Sequence, residues 1–324
     1  MIPAAEVLRL LAMPDCVRLM RAALAALARG EAVMPLRTVM RTPAGFLGVM
    51  PGHLAAQNGA PALGLKGVTV FPGNAARGLE THQGAVMLFD AETGIPSAIM
   101  DAAPVTAVRT AAVSAVATDC LAGAQAGDLA ILGAGVQART HIEAMAAVRR
   151  VRRARIWSRN FEHARRLADE AGRTYPFPIH ACQTAAEAVA GSDIVCTVTA
   201  SAEPVLERQW LSDGVHVNAV GASQPSAREL DTDTVKAARL FVDRRESALA
   251  EAGDILIPLR SGEISEAHIA AELGEVVAGL KPGRLSDGEI TVFKSLGLAV
   301  EDLAAARYVA DRAAAAGLGT TVDL

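Results

Sequence analysis

The spacing of apolar and polar positions changes character three times along the chain. Residues 4–29 repeat apolar positions at helical intervals and stop at Gly30, which predicts one helix. From 34 to 99, short apolar runs (46–50, 62–71, 85–90 and 97–100) are separated by turn sequences such as Phe71-Pro-Gly-Asn74 and Glu92-Thr-Gly94. That alternation predicts an antiparallel β region. A long helix is expected over 104–122, then strands near 129–132, 154–157, 194–198, 215–220 and 239–243 with helices between them. Strands alternating with helices specify an α/β doubly wound parallel sheet. A final alanine-rich helix over 297–316 is expected to pack back on the first domain, making that domain discontinuous. The expected domains are 1–111 with 300–324, and 112–299.

One segment inside the second domain carries chemistry. The run Leu129-Ala-Ile-Leu enters a Gly133-Ala-Gly135 turn, and helical spacing starts at Val136. Backbone N–H groups at such a helix start lack partners and carry the positive end of the helix dipole, which suits a pyrophosphate. Gly133 would permit the turn, Gly135 would let the backbone approach the phosphates, and Ala138 would keep the helix near the strand. At the end of the next strand, a site selecting a ribose 2′-hydroxyl places Asp or Glu; here the chain has Ser158-Arg159-Asn160. A guanidinium flanked by short hydrogen-bonding side chains fits a 2′-phosphate, so NADP(H) is expected in preference to NAD(H).

Composition narrows the class. The chain has 324 residues, enough for two cores, and a net charge of −4, which gives no reason to expect nucleic acid or an anionic membrane as partner. No apolar run reaches the roughly 18–20 residues of a membrane span, and Met1-Ile-Pro-Ala-Ala-Glu does not read as a secretory signal. The four cysteines, at 16, 120, 182 and 196, form no C-x-x-C pair. Neither a metal site nor a disulfide framework is expected, and a reduced cytoplasmic setting is the default.

Arginine replaces lysine almost everywhere, so the four lysines, Lys66, Lys236, Lys281 and Lys294, stand out. Lys66 lies in the apolar run Gly64-Leu-Lys-Gly-Val, where strand alternation puts it with Gly64 and Val68. A buried ammonium needs an anion or a proton-transfer task, whereas an edge-strand lysine faces water; the spacing allows both. Arg37 precedes Thr-Val-Met, and Arg109 sits among apolar neighbours in the long helix, either snorkelling or holding an anion. His82 is expected in a turn and Lys294 at a strand-to-helix junction. Arg41, His53 and Arg77 are further cations of the first domain.

Several segments resemble the ornithine cyclodeaminase/mu-crystallin family: Pro35-Leu-Arg-Thr-Val39, Gly45-Phe-Leu-Gly-Val-Met-Pro51, His82-Gln83, Arg109-Thr-Ala-Ala-Val-Ser-Ala115, Ile131–Ala138, Ile156-Trp-Ser-Arg159, Val217–Pro225, Arg228-Glu-Leu-Asp231 and Thr291–Gly297. They occur in family order over about 34–303, nearer to the mu-crystallin, ketimine-reducing branch. The resemblance implies a homodimer whose first domain, with an antiparallel sheet, forms the substrate site and dimer contact, and whose second is a Rossmann domain. It implies that Arg37 and Lys66 hold a substrate carboxylate before the nicotinamide, and that Arg109 lies by the phosphates and substrate. His82 and Ser223 complete the implied substrate-binding set. The implied cofactor set is Arg109, Gly133, Gly135, Val136, Gln137, Ala138, Ser158, Arg159, Asn160, Thr197, Thr199, Val220, Lys294 and Ser295.

One departure bears on the reaction. Cyclodeaminases place an aspartate where this chain has Ser223, and a glutamate where it has Gly48. A serine without a partner is a poor base, so ornithine cyclisation is not favoured. The expected activity is NAD(P)H-dependent reduction of a small α-imino acid, cyclic (pyrroline or piperideine carboxylate) or open-chain (iminosuccinate or the imine of pyruvate), to the amino acid. Lys66 is the candidate catalytic group. A cyclodeaminase-type ammonia lyase with catalytic NAD and a non-enzymatic NADPH-binding, crystallin-like protein are the other classes.

Overall fold

A computed structural model describes residues 1–56 and 60–322. The chain divides into two compact units, Met1–Arg109 with Gly297–Leu324, and Thr110–Leu296; residues 323 and 324 lie outside the described residues.

The first unit is built on a mixed-length antiparallel sheet of strands β1 (Ala32–Val33), β2 (Thr38–Thr42), β3 (Gly45–Leu54), β4 (Ala62–Val70), β5 (His82–Phe89) and β6 (Pro96–Asp101). Their order is β1-β3-β4-β5-β6, with β2 also paired to β3. The single helix expected over 4–29 is two, Ala4–Leu10 and Met13–Ala28. Pro14 explains the break: its ring cannot continue a preceding helix, but it suits a first turn, where its missing N–H costs nothing. Helix Ala299–Ala315 packs across β3, β4 and β5. Its close approach is made possible by Gly52 and Gly64, which pair across strands; a Cβ on Gly64 would lie 2.9 Å from Leu303, and one on Gly52 3.2 Å from it.

The second unit carries eight parallel strands: β7 (Asp128–Leu132), β8 (Arg153–Trp157), β9 (Ile179–Ala181), β10 (Ile194–Thr197), β11 (His216–Ala219), β12 (Arg239–Val242), β13 (Ile269–Glu272) and β14 (Thr291–Lys294). Their order is β13-β12-β14-β11-β10-β7-β8-β9. The sheet grows from β7 outward through β8 and β9, then the chain crosses back to lay β10 on the other side of β7. A doubly wound sheet has its ligand crevice at this reversal, beyond the carboxyl ends of the strands. The core under it is aliphatic and alanine-rich, with Leu132, Val195, Val217, Leu240 and Val292 fully buried. The α/β class is thus as expected; β9 and β13, short strands at the two opposite edges that were not foreseen, widen the sheet. Among the described residues, no helix is long and apolar enough to cross a membrane.

Candidate active site

In the first unit the candidate substrate residues converge. Lys66 pairs across the sheet with Met50 on β3 and Val86 on β5, and Val86 with Met100 on β6. Lys66 is 3% exposed in this row, and its three row-mates are buried apolar side chains. An ammonium there must be neutralised. Its partner comes from helix Ala299–Ala315: Nζ stands 2.7 Å from Asp302 Oδ2, with Thr106 Oγ1 accepting at 3.4 Å. The other Asp302 oxygen, Oδ1, accepts from Arg109 Nε at 2.8 Å, and Glu301 Oε2 accepts from Arg109 Nη1 at 2.9 Å. Glu301 also closes the helix start by accepting the Leu298 N–H at 3.1 Å.

Gly297 ties in the second arginine. Arg37 Nη2 donates to its carbonyl at 3.2 Å. Gly297 has φ +81, and a Cβ there would lie 2.6 Å from Arg109 Nη2, so a side chain is excluded both by conformation and by the guanidinium. Arg37, Lys66 and Arg109 are thereby held around Gly297 and Asp302. Three cations thus gather in one place, which suits an anionic substrate group. Burial pushes the Lys66 ammonium down to about 8, with the nearby Asp302 opposing and Arg109 reinforcing that shift. Asp302 is held below the usual carboxylate range because Arg109 and Lys66 outweigh its burial.

His82 falls outside this group. It opens β5 rather than lying in a turn, is exposed, and pairs with Val70, four residues (roughly 13 Å) along the strand from Lys66. The sequence reading missed Asp302 and Glu301. Their only local sign is an acidic pair at the start of a helix, which ordinarily means dipole stabilisation.

In the second unit the candidate cofactor residues collect on one edge of the sheet, because each follows the carboxyl end of a parallel strand. Gly133 leaves β7 with φ +130, and a Cβ would lie 2.8 Å from the Val198 carbonyl, in the loop after β10. Glycine is therefore required by the protein itself at Gly133. At Gly135 it is not: φ is −91 and an added Cβ would meet nothing within 4 Å. Gly135 is the N-cap of helix Val136–Val148 and offers no side-chain cap. A bare backbone over open space is what an approaching phosphate needs. Gln137 Oε1 and Ser295 Oγ, both buried on this edge, find no hydrogen-bond partner among the described residues. Residues at this edge therefore fit a dinucleotide.

Ser158, Arg159 and Asn160 follow β8. Asn160 Oδ1 caps the next helix, accepting the Glu162 N–H at 3.0 Å, while Arg159 is exposed. Thr197 and Thr199 spend their hydroxyls on Glu229, at 2.7 and 2.6 Å. Glu229 also accepts the Thr199 N–H at 2.7 Å and the Gly221 N–H at 2.6 Å, so one buried carboxylate fastens the loops after β10 and β11. Lys294, the last residue of β14 and so at the expected strand-to-helix junction, pairs with Asp254 Oδ2 at 2.9 Å, and Asp254 Oδ1 accepts the Glu229 and Leu230 N–H groups. Val220 follows β11, and Ser223 is exposed in the next loop. A cavity of about 590 Å³ lined by Arg208, Arg239, His268 and Glu289 lies at the amino ends of β12–β14, the opposite edge, so it is not the candidate site.

Residues 1–317 match the ornithine cyclodeaminase/mu-crystallin family. The chain belongs to this family. It is 44% identical over 284 residues to the ketimine reductase mu-crystallin of Mus musculus, an alignment covering 87% of this chain and 86% of that protein. Among solved structures it resembles the Thermococcus litoralis Δ1-pyrroline-2-carboxylate reductase in complex with NADH and L-proline, with 39% identity and a TM-score of 0.95 over 99% of each chain. It also resembles an archaeal alanine dehydrogenase dimer with bound NAD, with 33% identity and a TM-score of 0.95 over 100% of this chain and 98% of that one.

Proposed function

We propose that this protein reduces a small α-imino acid to the amino acid with a reduced nicotinamide cofactor. That it is an oxidoreductase rests on its family and on relatives named as a ketimine reductase and a pyrroline-2-carboxylate reductase. The observation carrying the substrate class is the convergence of Arg37, Lys66 and Arg109 on Gly297, Glu301 and Asp302, which gathers three cations in one place. Arg37 grips the substrate carboxylate through paired charge-assisted hydrogen bonds. Lys66, its ammonium anchored on Asp302, adds a second contact to the same carboxylate or releases a proton at the imine nitrogen. The carbon to be reduced is thus held in one orientation, which converts binding into rate. When bound, the cofactor supplies the hydride: imino acid, NAD(P)H and one proton give the amino acid and NAD(P)⁺.

Gly133, Gly135, Val136, Gln137 and Ala138 would hold the diphosphate, and Lys294 with Ser295 would border the nicotinamide. Preference for NADP(H) is part of this reading. It is supported by Arg159 after β8 and by the engagement of the nearest acid, Glu162, by Arg165 at 2.7 Å. A homodimer is supported by the exposed apolar side chains of Val39 and Met40, one on each face of β2, and by the relative described as a dimer. A reduced cytoplasmic setting accords with four free cysteines. The missing acid at Ser223 argues against the ammonia-lyase alternative. The deciding test is NAD(P)H oxidation against cyclic imino acids and against α-keto acids with ammonia or methylamine. Turnover of at least one is expected, and no oxidation across the panel would refute the assignment.

A further inference from the structure

The buried carboxylate opposite Lys66 has a task that charge neutralisation alone does not exhaust. Asp302 is fully buried and uses separate oxygens for Lys66 (2.7 Å) and Arg109 (2.8 Å), so a single planar group sets the separation of the two cations. It is delivered by helix Ala299–Ala315, whose position over β4 is fixed by the contacts of Leu303 with Gly52 and Gly64. We propose that Asp302 is a positioning residue for the reaction, fixing the Lys66 ammonium relative to Arg109 and keeping it charged at neutral pH. This rests on the imine-reduction reading, since the charged form is the one that grips a carboxylate or gives up a proton.

The groups facing Lys66 define what Asp302 must oppose. Its cross-strand neighbours on the sheet, Met50 and Val86, are apolar. Helix Ala102–Leu121 contributes Arg109 and the Thr106 hydroxyl, and the segment before β2 contributes Arg37. Helix Ala299–Ala315 contributes Asp302 and, against Arg109, Glu301. Cys16 of helix Met13–Ala28 lies near the same acids and Arg109, and burial raises its thiol so far that it stays neutral. Burial and two arginines therefore all favour a neutral Lys66, and Asp302 is the carboxylate in contact with its Nζ. Desolvation has already brought Lys66 down to about 8 with Asp302 present. Without that carboxylate the midpoint falls further.

The test is a titration of Lys66 by NMR of 13Cε-labelled lysine in the full-length protein. Only four lysine signals arise, and Lys66→Met assigns the relevant one. Wild type is expected to show Lys66 charged at pH 7. Asp302→Asn should move its midpoint down by at least one unit, and Asp302→Glu should restore it. Glu301→Gln, which removes a carboxylate bound to Arg109 and not to Lys66, should move it less. The alkaline limb of kcat/KM should follow the same displacement, with activity at pH 7 falling at least about twofold in Asp302→Asn and recovering at lower pH. If Asp302→Asn does not fold, Asp302→Ser takes its place. A neutral Lys66 at pH 7 in wild type, or an unmoved midpoint in a folded neutral variant, overturns the proposal, as does a kcat/KM limb that ignores the shift. Absence of turnover with any imine would count against the imine-reduction reading instead, and the NMR midpoints would still decide the role of Asp302.

Discussion

Gly133 and Gly135 are two residues apart in one turn, yet the structure assigns them different reasons for being glycine, and alanine at each should separate those reasons. At Gly133 a Cβ would sit at φ +130, 2.8 Å from the Val198 carbonyl oxygen and 2.9 Å from Val198 Cγ2. A non-glycine residue in such a region costs about 1–3 kcal/mol before any clash. With the contact added, about 3 kcal/mol or more is expected, which for a chain of this size lowers Tm by roughly 6–12 °C. At Gly135 the backbone is ordinary (φ −91) and the added methyl meets no protein atom within 4 Å. The loss of a permissive cap and the gain from a less flexible unfolded chain nearly cancel, leaving stability within about 0.5 kcal/mol. The same methyl would stand where the diphosphate must approach, so Kd for NAD(P)H should rise at least tenfold, about 1.4 kcal/mol. Differential scanning fluorimetry gives Tm, and quenching or enhancement of nicotinamide fluorescence gives Kd. Gly135→Ala binding cofactor as tightly as wild type would refute this account of the turn.

Three further outcomes are expected. His141 and His216 are fully buried, and burial lowers them to about 4 and about 3, against about 6.5 in an unfolded chain. The unfolded state binds more protons, so the stability these histidines leave intact above pH 6.5 is lost as pH falls towards 4; about 2 kcal/mol each should disappear by pH 5, and urea midpoints at pH 7 and 5 check this, an unchanged midpoint contradicting it. Glu229→Gln would turn an amide NH₂ against donors from Thr197, Thr199 and Gly221, costing about 2–4 kcal/mol and loosening the loops that follow β10 and β11; denaturant unfolding with parallel cofactor titration measures both. Arg159→Ala should weaken NADPH at least tenfold while leaving NADH within about twofold, a difference that disappears if Arg159 does not meet a 2′-phosphate.

What the sequence disclosed and what it withheld follow from the range of the interactions. The parallel sheet, the turn at Gly133 and the antiparallel region are written in local spacing, and Lys66 was conspicuous because alternation placed one charge on an apolar face. Asp302, Glu301, Glu229 and Asp254 were not found, although all four are buried. Arg109 meets its acids across 192 and 193 residues, and no local pattern reveals which distant helix will neutralise a strand. Glu229 was quoted only as part of a string, since its four donors come from three separated positions. Strands β9 and β13 escaped because, at 3 and 4 residues, they are too short for an alternation to stand out from the surrounding sequence.

The central claim, that cations of the first unit recognise the acid group of an imine, is tested most directly by comparing two substrates that differ in that group alone. With NAD(P)H saturating, kcat/KM should be at least a thousandfold higher for Δ1-pyrroline-2-carboxylate than for 1-pyrroline, a difference of about 4 kcal/mol. Arg37→Met should collapse that ratio to near tenfold. Equal efficiency on the two imines, or a ratio indifferent to residue 37, would contradict it.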